Sequence, residues 1–147
     1  MDDRDLALRN LTYALFVELG HAPTVHEVAR TNGSSDEEVV AGWRRLHDHH
    51  ALVLDPATAE IRMANPFSAG PTPHRVLARG RRWYANCAWD AFGVCAALHT
   101  DGRIETSCPE CGEPIAVEVR GEQPDDERLL FHCLVPATRW WDDIVFT

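Results

Sequence analysis

Three prolines within eight residues, the run Pro66-Phe67-Ser68-Ala69-Gly70-Pro71-Thr72-Pro73, place the strongest limit on how this chain folds. Proline lacks an amide hydrogen and fixes φ, so no helix passes through such a run and no central strand is built along it. By composition it reads as a linker. It divides the 147 residues into a lobe over 1–65, a linker over 66–80 and a core over 81–147. A chain of this length supports one substantial core, or two small lobes that share one.

Before the proline run, helical signals dominate. Residues 3–19 place Leu6, Leu8, Leu11, Leu15, Val17 and Leu19 close to helical spacing, and Gly20 supplies a stop. Thr24 with Glu27, and Ser35 with Glu38, are capping boxes, in which side chain and backbone satisfy each other's free donors at a helix start. They open a short helix ending near Asn32-Gly33 and a third helix running to about His49, with Val39, Val40, Trp43 and Leu46 on one face. Leu52–Leu54 and Ile61–Met63, joined by a turn containing Pro56, read as a hairpin. Three helices and a hairpin form a winged-helix-like pattern. Its third helix opens Asp36-Glu37-Glu38, which repels a phosphate backbone, and the formal charge of the chain is −9. The expectation is a structural or dimerising lobe with no nucleic-acid partner; a homodimer is left open.

After the run the pattern changes. Residues 82–84 form a short aromatic strand or helix entry, and 87–98 a helix of small and apolar side chains. Residues 103–106, 115–120 and 129–135 read as strands, with Pro109 and Gly112-Glu113-Pro114 marking turns. The fold class is therefore α+β: a winged-helix-like three-helix lobe, then a small mixed or antiparallel sheet with a helix that carries a cysteine. Trp140 and Trp141 are expected in the core. No apolar run approaches the roughly 20 residues of a membrane span. The acidic start, Met-Asp-Asp-Arg-Asp, has no signal-peptide character, so a cytoplasmic location is expected.

All five cysteines (Cys87, Cys95, Cys108, Cys111, Cys133) fall in the second half. An odd number without a secretory signal points to reduced thiols, metal ligands or a nucleophile. Cys87 and Asp90 are three apart at a helix start and so share a face. There the backbone donors stabilise a thiolate, and the neighbouring carboxylate can move a proton to whatever the sulfur binds. Trp83, Tyr84 and Trp89 stand close in sequence and would raise the carboxyl pKa by desolvation. The plainer alternative is a buried free cysteine beside a surface aspartate. Cys108-Pro109-Glu110-Cys111-Gly112 is half of a zinc ribbon, but its other two ligands are missing, because His132 and Cys133 are adjacent and on a strand would face opposite ways. Capture of a softer metal by thiolates is the broader reading. His47, His49 and His50 read as end-caps of the third helix.

The stretch Trp83-Tyr84-Ala85-Asn86-Cys87-Ala88-Trp89-Asp90-Ala91 resembles the active-site segment of the organomercurial (alkylmercury) lyases, with its aromatic-tyrosine entry followed by Cys-Ala-x-Asp. The resemblance continues at Cys108, at the Gly112-Glu113-Pro114 turn and the strand after it, and at Val135-Pro136 and Trp141 through Phe146. It implies a fold with a helical, winged-helix-like first lobe. It also implies a reaction in which thiolates grip the mercury of R–Hg⁺ and an aspartate protonates the departing carbon, giving R–H and Hg²⁺. Cys87 would be one thiolate and Asp90 the proton donor. No cofactor would be required; Hg²⁺ would be the bound product, passing to small thiols or a mercuric reductase, with zinc the weaker alternative.

The sequence departs from the family pattern at one place. The resemblance puts the second catalytic cysteine at Thr147 or just beyond it, so the expectation is a shortened C-terminal end. A hydroxyl does not replace a soft thiolate ligand. Either Cys111 or Cys133 supplies the second thiolate or the activity is weak or lost, since Cys95 lies about two helical turns from Cys87. The other readings are a non-catalytic Hg or Zn thiolate protein using Cys87, Cys108, Cys111 and Cys133, and a winged-helix regulator that senses metal through its second half.

Overall fold

The computed structural model describes residues 1–126 and 128–145. Helices α1 (Asp3–Leu19), α2 (Val25–Asn32) and α3 (Asp36–Asp48) come first. Both capping boxes form: Thr24 and Ser35 each accept from the backbone three residues on, while Glu27 and Glu38 reach back to the cap amides. Gly20 and Gly33 end α1 and α2 in the left-handed conformation. The buried stripe of α1 is Asp5, Leu8, Thr12, Leu15 and Phe16, whereas Leu6 and Leu19 are exposed. The interior therefore takes two polar side chains from α1. Asp5 holds the Arg45 guanidinium of α3 through two hydrogen bonds of 2.8 and 2.9 Å. Thr12 accepts from the indole N–H of Trp43 at 3.0 Å while donating to Leu8 O at 2.8 Å.

Strands β1 (Val53–Leu54), β2 (Ile61–Ala64) and β3 (Phe67–Ser68) form an antiparallel sheet in that order. A second antiparallel sheet runs β5-β4-β6-β7-β8, from β4 (Arg75–Ala78), β5 (Arg81–Tyr84), β6 (Gly102–Ser107), β7 (Pro114–Arg120) and β8 (Gln123–Pro124). Two of its hairpins close through two-residue turns, Arg79-Gly80 and Gly121-Glu122, in which both residues have positive φ. This turn geometry matches the natural twist of paired strands. Helix α4 (Ala88–Leu98) connects β5 to β6 and packs on β4 and β6, burying Ala91, Val94, Cys95 and Leu98.

The α+β architecture is the one read from the sequence, and three local expectations are corrected. The span 66–80 contains β3 and β4, so it is not free of regular structure: its prolines flank the strands and leave ladder positions to residues with amide hydrogens. Phe67 enters the core, its ring 5.1 Å from Phe16 of α1 and 5.4 Å from Trp83 of β5, so both halves share one apolar cluster. Residues 129–135 form no strand. Their composition suits one, but the outer edge of β7 near Glu118–Arg120 is occupied by Gln123–Asp125, and Leu130 is 94% exposed. Trp140 and Trp141 are half-buried: they lie in the 3₁₀ turn Ala137–Asp142, and Trp141 stacks on His50 at 4.0 Å. Phe146 and the Thr147 position lie outside the described residues.

Thr12→Val keeps the shape and removes the acceptor of the Trp43 indole. Leaving that buried N–H unpaired is expected to cost about 1–3 kcal/mol, read as a lowered midpoint in urea unfolding. Thr12→Ser, which keeps the acceptor, should lose clearly less.

Candidate active site

Strand β5 ends at Tyr84, and the chain turns through Ala85 and Asn86 into α4. Cys87 is the N-cap of α4, in extended conformation (φ −147°), with its sulfur 3.4 Å from the Asp90 backbone nitrogen. A cysteine here occupies the place usually filled by Ser, Thr, Asp or Asn. Asp90 sits in the first turn, one turn on from Cys87, and both side chains are half-buried. The pairing expected from their spacing is therefore met in space.

A residue given no role by the sequence organises the pair. The Asn86 side-chain amide donates to Asp90 Oδ2 at 3.1 Å and to Asn65 Oδ1 at 3.0 Å, and it also lies 3.4 Å from the carbonyls of Pro66 and Phe67. One side chain thus ties the start of α4 to the segment joining β2 and β3. Its own Oδ1 is buried without a hydrogen-bond partner among the described residues, a burden of about 1–3 kcal/mol. Behind it, Tyr13 of α1 donates to Asn65 O at 3.0 Å, and the Arg9 guanidinium stands 4.7 Å over the Tyr13 ring. Gly93 lets α4 approach this segment, because a Cβ there would lie 2.9 Å from Pro66 Cβ. The four-residue separation of Asn86 and Asp90 was a readable signal. Nothing in the sequence pointed to Asn65 or Tyr13.

The electrostatics differ from those of an exposed helix start. Burial raises the Cys87 pKa above the ordinary thiol value; the amides of Asp90 and Trp89 pull it down, but burial and the Asp90 charge outweigh them. Burial also raises Asp90, against the opposing hydrogen bonds from Asn86 and Cys87. In place of the expected stabilised thiolate stands a thiol held above its ordinary pKa, beside a carboxyl group that is also raised. Buried Trp83 turns its indole N–H to Ala78 O, while Trp89 is 60% exposed with its ring 5.8 Å from Phe131.

The remaining cysteines fall elsewhere. Cys95 is buried in α4 and faces Gly102, where a Cβ would lie 2.8 Å from its sulfur. Cys108 and Cys111 occupy the β6–β7 loop, and Cys108 is held below the ordinary thiol value by the amides of Cys111 and Glu110 and by the Cys111 side chain. Cys133 is exposed, with its sulfur 2.8 Å from Val135 O. Among the described residues no three His, Cys, Asp or Glu side chains converge as a metal-ligand group. No helix among them is long and apolar enough to cross a membrane.

The family model described as alkylmercury lyase matches residues 67–147. Alkylmercury lyases of Bacillus cereus and Clostridium butyricum are each 29% identical to this chain over 106 residues, which is 72% of this chain and 45% of theirs. The chain thus spans less than half the length of these curated relatives. The crystal structure of the mercury-bound form of MerB2 superposes with a TM-score of 0.67 at 24% identity, covering 86% of this chain and 60% of that one. That likeness is one of fold.

The raised Asp90 pKa sets a pH dependence. Between the ordinary value of 3.8 and its own higher value, the folded chain holds a proton that the unfolded chain has released. Stability therefore falls as pH rises through that window. Asp90→Asn removes this contribution. Denaturant midpoints measured across the window should move in favour of Asn as pH rises and keep a constant difference above it; a difference independent of pH throughout would contradict the assignment.

Proposed function

Because the chain belongs to the alkylmercury lyase family, we propose that it cleaves carbon–mercury bonds by protonolysis, with Cys87 gripping the metal and Asp90 moving the proton. The observation that carries this reading is the Cys87–Asp90 pair itself: a half-buried thiol that accepts from the Asp90 amide, beside a half-buried carboxyl group in the same first turn that Asn86 orients. Mercury is soft and takes thiolate ligands in preference to oxygen.

In this mechanism R–Hg⁺ meets a protonated Cys87. As the S–Hg bond forms, the thiol proton passes to the Asp90 carboxylate. The transfer leaves a carboxylic acid beside the metal. When the C–Hg bond breaks, its electron pair stays with carbon, which takes the proton from Asp90, and mercury remains as Hg²⁺ on sulfur. Burial, which raises the pKa of Asp90, suits it to both proton transfers. Asn86 holds Oδ2 throughout.

A second thiolate would strengthen the grip and weaken the C–Hg bond further. Cys133 is the best supported source within the chain, because its segment rests on the first turn of α4 through the Phe131–Trp89 contact. External thiols would complete the coordination and carry Hg²⁺ away, to a small thiol or a mercuric reductase. Such chemistry needs reduced thiols and fits the cytoplasm. The substrate class is small organomercurials, and the acidic opening of α3 argues against nucleic acid.

The test is gas-chromatographic detection of benzene from phenylmercury acetate in excess thiol. Wild type should release benzene, Cys87→Ser should release none, and Asp90→Ala should be slower by roughly 100- to 10,000-fold, the usual share of a positioned proton donor. Cys133→Ser should be slowed, with partial recovery as external thiol is raised. Tightly held phenylmercury without benzene from wild type would mean that the fold grips mercury and lacks the chemistry.

A further inference from the structure

The β6–β7 loop holds two cysteines that the cleavage reaction does not use. The last paired residues of this hairpin are Ser107 and Pro114. Between them the backbone closes twice on Cys108: its N–H donates to Glu113 O at 2.9 Å, and its carbonyl accepts from Gly112 N–H at 2.8 Å. Gly112 takes φ +75°, a conformation that spares the loop a strained side chain. The Gly112–Cys108 bond closes a tight turn that holds Cys108 and Cys111, three residues apart, within it. Each sulfur binds metal as its thiolate. Cys108 is half-buried and Cys111 exposed, so the pair is anchored on one side and open on the other.

The number of donors selects the guest. Structural zinc takes four ligands, and among the described residues no third His, Cys, Asp or Glu joins a metal-ligand group here. Two thiolates alone suit a soft cation. The sheet also sets the location. Tyr84, Arg75 and Glu105 are register partners across β5, β4 and β6, and β5 and β6 run in the same direction. Cys87 follows Tyr84 by three residues and Cys108 follows Glu105 by three, so both leave the same end of the sheet.

We propose that Cys108 and Cys111 form a second, two-thiolate site that binds Hg²⁺ at the hairpin tip, separate from Cys87. Loading replaces two S–H bonds with two S–Hg bonds and releases two protons, with no change of oxidation state. Its place at the Cys87 end of the sheet suits it to hold the mercuric product of cleavage. That role rests on the lyase reading; the binding itself does not.

The experiment uses the full reduced chain and mercuric chloride, which needs no cleavage and so stays readable if the lyase reading fails. Cys87→Ser, loaded with one equivalent of Hg²⁺ against excess 2-mercaptoethanol and desalted, should retain one mercury per chain by elemental mass spectrometry. Adding Cys108→Ser or Cys111→Ser should lower retention at least tenfold. In the unmutated chain, where folding is not in question, Hg²⁺ should slow maleimide labelling of both Cys108 and Cys111 at least tenfold. Zinc chloride under the same competition should protect neither. Mercury retained after loss of Cys108, unchanged labelling of the pair, or equal protection by zinc would overturn the proposal.

Discussion

The hydrogen bonds of the Asn86 side chain are the constraint on which the site depends. A half-buried amide has only two protons to donate, and here they are divided between Asn65 and Asp90, with two backbone carbonyls close by. The first contact fixes the segment that follows β2; the second fixes the rotamer of the carboxylate. Because Asn86 directly precedes the N-cap, the same contacts fix where α4 begins and therefore where the Cys87 sulfur lies. Tyr13 extends the constraint into α1 through Asn65 O. Phe67 does the same for the core, between Phe16 and Trp83. The site therefore sits at the seam of the two sheets, and the helical lobe takes part in its construction.

Two opposing effects meet at the start of α4, and their balance sets the chemistry. Exposed helix amides favour a thiolate at Cys87; burial and a neighbouring negative charge oppose it and prevail. The resting cysteine is then a thiol beside a carboxyl group whose own pKa is raised. For a metal-capturing site this has a consequence: the nucleophile is released by the arrival of the cation, which takes the place of the proton. Cys108 in the hairpin has the reverse balance, since there hydrogen bonding outweighs burial and lowers its pKa.

Features written in short stretches were legible in the sequence. The capping boxes, the glycine stops and the placing of Cys87 and Asp90 on one turn all depend on residues three or four apart, and they stand as read. Features decided by distant partners were not. Asn65 and Asn86 are 21 residues apart, and Tyr13 and Asn65 are 52 apart, so no local pattern marks either contact. The proline run was read from composition, which conceals that Phe67 between the prolines is a core residue. Residues 129–135 have the composition of a strand, but a strand also needs a free partner edge, which composition does not report.

The central claim is that the Cys87–Asp90 pair carries a proton from solvent to the carbon bound to mercury. Intact-protein mass spectrometry in D₂O, after mixing the chain with one equivalent of phenylmercury, tests it most directly when the released benzene is analysed for deuterium. The expected course is a phenylmercury adduct on Cys87 that loses its phenyl group with time, leaving bare mercury on the protein and benzene carrying one deuterium. An adduct that persists, or forms at another cysteine while Cys87 stays free, would contradict the account.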